Sequence, residues 1–227
     1  MAAAAHEPLT RSVEDYLKVI WSLSPEGRPA STSDIAHRLE LSAASVSGMI
    51  KRLSEQGLLE HVPYKGVQLT AEGRRAALRM VRRHRIIEAY LVGFLGYGWE
   101  SVHKEAERME HAVSDELIER MSLALGNPAA DPHGDPIPTA DLAIEEVAWT
   151  PLSEVTAGEL VELRRVASEE PDRLRYLASV GLQPGATIMV LGHQPFQGPI
   201  TLDVDGHECV IGHELAQSLF VGRSYAA

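Results

Sequence analysis

His84 and Glu88 stand four residues apart, and His103, Glu107, Glu110 and His111 follow fewer than twenty residues later. Imidazole nitrogen and carboxylate oxygen are donors that hold divalent transition-metal ions. On a helix turning about 100° per residue, positions 103, 107, 110 and 111 fall within about 100° of arc, so two imidazoles and two carboxylates share one face. His84 and Glu88 form a second i,i+4 pair. Charged groups facing inward are costly unless paired or bound to a metal, so the spacing points to a metal site. The alternative is a solvated face that carries two histidines by chance. Glu105 sits about 170° from the middle of the face and is not a candidate. Met109 reads as core, and His133, in a Pro/Gly loop, as structural or exposed.

Composition leaves room for such a site. The 227 residues can hold one large domain or two to three small ones. No apolar run approaches ~18 residues, so no membrane-spanning helix is expected. The start, Met1 to Pro8, lacks a basic region followed by an apolar core and reads as a ragged tail of a cytoplasmic protein. Cys209 is the only cysteine, which excludes an internal disulfide and a cysteine-based zinc site. The net charge of −11 is uneven. Residues 1–75 balance nine Lys/Arg against nine Asp/Glu, whereas 76–150 carry seven against thirteen and 151–227 five against ten. The first third is therefore free to meet an anionic partner, and bound cations would offset part of the middle third.

That first third predicts a winged helix-turn-helix. Val13, Tyr16, Leu17, Ile20 and Trp21 have helical spacing over Ser12 to Leu23. Thr32 or Ser33 caps a second helix running to Leu39, and Ser42 caps a third running from Ala43 to Gln56. Leu58 to Val62 and Val67 to Thr70 read as strands around a wing at Pro63, Tyr64, Lys65 and Gly66. Three short helices also suit a protein-interaction bundle. The outer face of the third helix favours DNA: Ser42, Ala44, Ser45 and Ser47 are small enough to sit deep in a major groove. With Thr32, Lys51 and the wing's Lys65 they are the DNA-contact candidates. No Arg, Asn or Gln on that face through Gly48 offers a bidentate base contact, so phosphate positioning and DNA shape are expected to carry much of the specificity.

The order of winged helix, His84-x-x-x-Glu88, His103-x-x-x-Glu107-x-x-Glu110-His111 and the run from Asn127 to Pro138 resembles the diphtheria toxin repressor family of metal-dependent transcription regulators. The resemblance implies a homodimer, held through the middle helices, whose metal occupancy controls binding to a double-stranded DNA operator. It also implies a primary metal site of Asp15, Glu107, Glu110 and His111 and an ancillary site of His84, Glu88 and His103. Iron-type members place methionine where Asp15 stands and cysteine where Glu107 stands. Two hard carboxylates at those positions resemble the manganese-responsive branch, as do Val13 to Tyr16 and Tyr64 to Gly66, and oxygen donors suit manganese. Lys18 stands where some members of that branch have glutamate. Fe2+ is the alternative cofactor, with Co2+ or Zn2+ as substitutes in vitro.

Beyond Trp149 the pattern changes. Leu160 to Val166 alternates as a strand, Pro171 to Val180 is a short amphipathic helix, and Thr187 to Leu191 is a further strand. Pro199 to Val204 and His207 to Ile211 make a hairpin, closed by His213 to Phe220. This segment resembles the family's small SH3-like β-barrel and the ferrous-transport accessory module. In iron-type members the barrel lends a glutamate and a glutamine to the ancillary site; Arg165 and Ser168 occupy those positions here and cannot replace them, which leaves Glu162, Glu169 and Glu170 as the carboxylates nearby.

The expectation is a mainly α protein of three domains: 1–75 winged helix, 76–148 helical metal-binding and dimerisation domain with its tether, and 149–227 SH3-like barrel. It would be a manganese-dependent repressor of metal-uptake genes, with no membrane and no small organic substrate as partner. His207-Glu208 and His213-Glu214 lack the spacing of a zinc hydrolase, and no phosphate loop or nucleophile constellation argues for an enzyme. A metal-storage or metal-chaperone protein would use the same ligands but would not need the helix-turn-helix.

Overall fold

A computed structural model describes residues 9–145 and 147–223. The tail expected at residues 1–8 and Glu146 of the tether lie outside them. The chain divides into two compact units, Met1–Arg83 with Pro138–Ala143, and His84–Ile137 with Ile144–Ala227.

The first unit begins with α1 (Arg11–Ser22), whose Val13, Tyr16, Leu17 and Ile20 repeat at i, i+3, i+4 and i+7 and are buried. Helix α2 (Thr32–Leu39) is capped by Ser31, which accepts from the Asp34 N–H. Neither Thr32 nor Ser33 is the cap: in a Ser-Thr-Ser run only the geometry decides which hydroxyl reaches the free amides, and the extended φ/ψ falls one residue earlier. Glu40, at φ 55°, ends α2 in the left-handed conformation and starts the turn into α3 (Ala43–Glu55). Ser42 caps α3 as expected, accepting from Ser45 N–H. Val46, Ile50 and Leu53 of α3 close one core with Ile35 of α2, the α1 stripe and Val67. Strands β1 (Leu59–Val62) and β2 (Gly66–Leu69) pair antiparallel to form the wing. Gly66 is required there: its φ is +124°, and a Cβ would lie 2.0 Å from the Ala30 carbonyl oxygen, where Ala30 and Val67 form a bridge.

Helix α4 (Ala71–Leu95) starts in the first unit and ends in the second. Its 25 residues span about 37 Å. In the second unit, Ile86, Ile87 and Leu91 of α4 pack with Val102 and Ala106 of α5 (Val102–Met109) and with Ile118 and Met121 of α6 (Asp115–Ala124). Helix α5 is shorter than the ligand spacing implied. It stops at Met109, so Glu110 and His111 lie in the following turn, where the Ala112 and Val113 amides both bond the Met109 carbonyl. Ser114, extended and capping α6 through Leu117 N–H, takes the chain out of the helix.

The rest of the second unit is a six-stranded antiparallel sheet in the order β3-β8-β4-β5-β6-β7. The strands are β3 (Thr150–Pro151), β4 (Leu160–Val166), β5 (Thr187–His193), β6 (Ile200–Val204), β7 (His207–Ile211) and β8 (Leu219–Arg223). The SH3-like architecture is present, but the sheet is open: β3 and β7 are its edges among the described residues and do not pair. The expected closing segment is two elements, α8 (His213–Gln217) and β8. Leu174 and Leu177 of α7 (Pro171–Ser179) pack with Leu163, Val190, Leu202 and Leu219 of the sheet.

Between α6 and this sheet, residues 127–137 dock on β4. Val166 N–H donates to the His133 carbonyl at 2.8 Å, and the Arg165 guanidinium meets Asp135 at 2.7 Å. Gly134 has φ +86°, and a Cβ there would stand 1.9 Å from the Arg164 carbonyl oxygen. No helix among the described residues is long and apolar enough to cross a membrane.

Candidate metal centre and nucleic-acid interface

One turn of α4 places His84 and Glu88 on its inner face, and α5 brings His103 to them. His84 Nε2, Glu88 Oε1 and His103 Nδ1 lie 3.0 Å apart in every pairing. His84 and Glu88 are buried, and His103 is half-buried. On its other nitrogen His84 donates Nδ1–H to Glu110 Oε2 at 2.5 Å. That bond fixes the ring so that Nε2 presents its lone pair to the triangle, the arrangement in which histidines ligate metals.

The triangle can be tested for fit. Three cis ligands of an octahedron separated by 3.0 Å imply donor–ion distances of about 2.1 Å, the range of small hard octahedral cations. A tetrahedral ion would need about 1.8 Å, shorter than the ~2.0 Å of zinc–nitrogen bonds. Two nitrogens and one carboxylate oxygen, with no sulfur, therefore fit an octahedral divalent cation.

Electrostatics agree. Burial alone would raise the Glu88 pKa, but its contacts to His103, His133 and His84 outweigh burial and hold the carboxyl well below the usual carboxylate range. For His103, burial disfavours the cation, yet Glu107, Glu88 and Glu169 prevail and lift its pKa to about 10. The His103 Nδ1 proton thus faces two acceptors, His84 Nε2 and Glu88 Oε1, in the position a metal ion would take.

Of the other expected ligands, Glu110 is buried and its Oε1 lies 3.5 Å from His111 Nε2, so one carboxylate links His84 to His111. Glu107 is exposed, with Oε1 3.5 Å from His103 Nε2. Asp15 is half-buried on α1 in the first unit, one turn from Arg11.

Within the first unit, Ser42, Ala44, Ser45, Ser47 and Lys51 form an exposed row at the start and along the outside of α3, and Thr32 is the half-buried first residue of α2. Ser47 Oγ donates to the Ala43 carbonyl at 2.8 Å, leaving its oxygen lone pairs outward. Lys65 stands at the wing tip beside Tyr64, which is fully exposed at φ 63°.

Comparison with known proteins accounts for nearly all of this chain. The "Iron dependent repressor, N-terminal DNA binding domain" matches residues 8–67, the "Iron dependent repressor, metal binding and dimerisation domain" residues 70–139, and the "FeoA domain" residues 150–223. The iron-dependent repressor IdeR of Mycobacterium leprae is 32% identical over 228 residues, covering 95% of this chain and 98% of that one. The chain belongs to the diphtheria toxin repressor family of metal-dependent transcriptional repressors. Members of this family are DNA-binding regulators and not enzymes. Among solved structures, a manganese-dependent transcriptional repressor in complex with manganese superposes with TM-score 0.84 at 41% identity, covering 93% of this chain and all of the other. ScaR with bound Cd2+ superposes at 0.79 with 36% identity, covering 93% and 99%.

Two features of this repressor were left open by sequence reasoning. Glu169, following β4, lies 3.8 Å from His103 Nε2, so of the three carboxylates nearby it is the one that faces the triangle. His133 is not exposed: it is buried, stacks on Trp99 at 5.6 Å and approaches Glu88. Its only signal was the alternation Asp131-x-His133-x-Asp135 between prolines. Asp131 is buried beside it with its pKa raised to about 7, by burial first and then by Asp135 and Glu88, against the pull of Arg85 and His133.

Proposed function

We propose that this chain is a manganese-responsive, homodimeric, cytoplasmic repressor that binds an operator in genes of metal uptake. The observation that carries the choice of metal is the donor set: the 3.0 Å triangle of two imidazoles and a carboxylate, with only oxygen and nitrogen donors at every expected ligand position. The proposed ancillary ligands are His84, Glu88 and His103, and the primary ligands Asp15, Glu107, Glu110 and His111, the latter including carboxylates at 15 and 107 where iron-type relatives have sulfur. The proposed division remains residues 1–75, 76–148 and 149–227.

A bound divalent cation supplies two positive charges and a fixed set of ligand directions. The chain's own residues do the rest. Asp15, Glu107 and Glu110 repel one another when nothing neutralises them, which opposes any arrangement of α1 that brings the three together. Glu110 ties the two sets through its contacts with His84 and His111. The row from Ser42 to Lys51 and the wing's Lys65 form the surface offered to DNA, with Thr32 beside it. For the dimer, Phe94 and Leu95 at the end of α4, Tyr97 beyond it, and Leu117 and Leu123 of α6 expose apolar area that favours burial against a second copy. A regulator active only at matched operator half-sites shifts its population toward the DNA-competent state by the difference in metal affinity between the two states.

The test is fluorescence anisotropy of an operator duplex selected in vitro, titrated with free Mn2+, Fe2+, Co2+ and Zn2+. Mn2+ should activate the wild type and fail to activate His111→Ala. The pair Asp15→Met with Glu107→Cys should move the preference at least tenfold toward Fe2+ or Co2+. Unchanged manganese activation in His111→Ala would remove the primary-site assignment, and an unchanged preference in the double variant would remove the ligand explanation of selectivity.

A further inference from the structure

Glu88 uses only one of its oxygens in the triangle. Its Oε2 points the other way and stands 3.7 Å from Nδ1 of His133, too far for a hydrogen bond. The other nitrogen of that ring, Nε2, is 2.8 Å from the Trp99 carbonyl oxygen, which can only accept. Nε2 therefore carries a proton, and the Nδ1 that faces the carboxylate is the position at which a proton, favoured there by Glu88, or a metal ion can stand. Two acceptors held face to face in a buried pocket repel unless a proton or a metal cation lies between them.

The third corner is Asp131. One ligand atom each from Glu88, Asp131 and His133 lies within 4.8 Å of the others, and all three residues are buried. Asp131 is rigid: Oδ1 accepts the backbone N–H of His133 at 2.8 Å and of Asp135 at 3.0 Å, while Oδ2 faces the Arg85 guanidinium at 3.7 Å. Asp135 lies between Arg85 and Arg165, at 3.4 and 2.7 Å. Asp131 and Asp135 thus face two guanidiniums, while Glu88 faces only imidazoles. A donor–donor separation of 3.7 Å corresponds to ion–ligand distances of about 2.2 Å at an angle near 115°, within the range of hard divalent cations. A histidine whose second nitrogen is fixed on a backbone carbonyl is the usual form of a metal-ligating imidazole.

We propose that Glu88, Asp131 and His133 form an additional divalent-cation site, with Glu88 bridging it to the triangle of His84 and His103 through its two oxygens. The ligand class is a hard divalent cation, Mn2+ in the first instance. This rests on the reading of Glu88 as a metal ligand. The site also lies on the segment that docks the sheet, since the His133 carbonyl accepts Val166 N–H of β4. Its occupancy therefore stiffens the attachment of the sheet to the metal-binding helices.

The experiment counts Mn2+ bound by the full chain, using equilibrium dialysis with elemental analysis and electron paramagnetic resonance of the same samples. Two variants are compared with the wild type: His133→Gln, and Asp131→Asn, which keeps the Oδ1 acceptor and removes the charge. Each should lose one equivalent of Mn2+ relative to wild type. The wild-type signal of a carboxylate-bridged, spin-coupled pair should give way to an isolated six-line spectrum. If both folded variants bind as many ions as wild type, a proton rather than a metal joins His133 to Glu88, and the site does not exist. Loss of two equivalents would mean that these residues only position Glu88, which also overturns it. A wild type that binds no Mn2+ would instead overturn the manganese reading itself, a distinct result.

Discussion

With His103 as a metal ligand, as proposed, the proton it carries makes metal binding pH-dependent. With its pKa at about 10, His103 is protonated at pH 7.5 by roughly 300 to 1, whereas an ordinary histidine near 6.5 would be about 90% neutral. The Nδ1 that faces His84 and Glu88 must lose that proton to ligate an ion. The sign follows: a raised pKa keeps the competing proton in place, so affinity is lowest at low pH and rises as pH climbs toward 10. The penalty at pH 7.5 is about 3 kcal/mol, since each pH unit is worth about 1.4 kcal/mol. Affinity at His84, Glu88 and His103 should therefore rise about tenfold per pH unit between pH 7 and 8.5. An ordinary histidine would give a flat profile over most of that window. The assay is anaerobic calorimetric titration of Mn2+ into His111→Ala protein, which weakens the primary set, in two buffers of different ionisation enthalpy. About one proton should be released per ion bound at this set. A flat affinity profile above pH 7.5 with no proton release would show that Glu107, Glu88 and Glu169 do not hold His103 in its charged form.

Two further outcomes test the elements around the site. Lys51→Ala and Lys65→Ala should each weaken binding to operator and scrambled duplex alike and flatten the log–log salt dependence by about one unit, measured with Mn2+ saturating; unchanged slopes would remove α3 and the wing as the DNA surface. Gly134→Ala places a Cβ 1.9 Å from the Arg164 carbonyl oxygen at a φ of +86° and should cost at least ~2 kcal/mol, read as a lower thermal midpoint with earlier loss of protection of the β4 amides in hydrogen exchange. A variant as stable as wild type would mean that the loop at Gly134 is not fixed against β4.

What the sequence disclosed was local. The α1 stripe of Val13, Tyr16, Leu17 and Ile20 and the Ser42 cap follow from spacing and chemistry within a few residues, and both are in the structure. The pair His84 and Glu88 is a property of one helical turn, so it too was legible. The end of α5 at Met109 was not, because a face computed at constant pitch has no term for Ser114 drawing the chain into the next cap. Ser31 was passed over because its neighbours carry equivalent hydroxyls. The burial of His133 depends on Trp99, 34 residues earlier, and on β4, more than 30 later, and no pattern within the loop reports either. Barrel closure failed to be legible for the same reason: whether β3 meets β7 is decided by long-range geometry, whereas alternation announces only that each is a strand.

The same distinction explains why α4 can serve so many partners at once. Arg82, His84, Arg85 and Glu88 lie within two turns, yet each reaches a different segment. Arg82 donates to the Pro138 carbonyl at 2.7 Å, Arg85 to the Pro136 carbonyl and toward Asp131, His84 to Glu110, and Glu88 faces His103 on one oxygen and His133 on the other. Those partners are separated by up to 35 positions in sequence, and only the rigidity of a helix keeps their spacing constant. The proline carbonyls need donors that their own neighbours, lacking an amide hydrogen at each proline, supply poorly. The two arginines provide them and hold Pro136 to Pro138 against the helix that carries the proposed ligands His84 and Glu88. A displacement of Glu88 by a fraction of an ångström is then felt at His103, at the His133 loop and, through the His133 carbonyl, at β4. The helix is the element on which these contacts converge, because Glu88 faces both His103 and His133 and only the step from His133 to β4 lies beyond it.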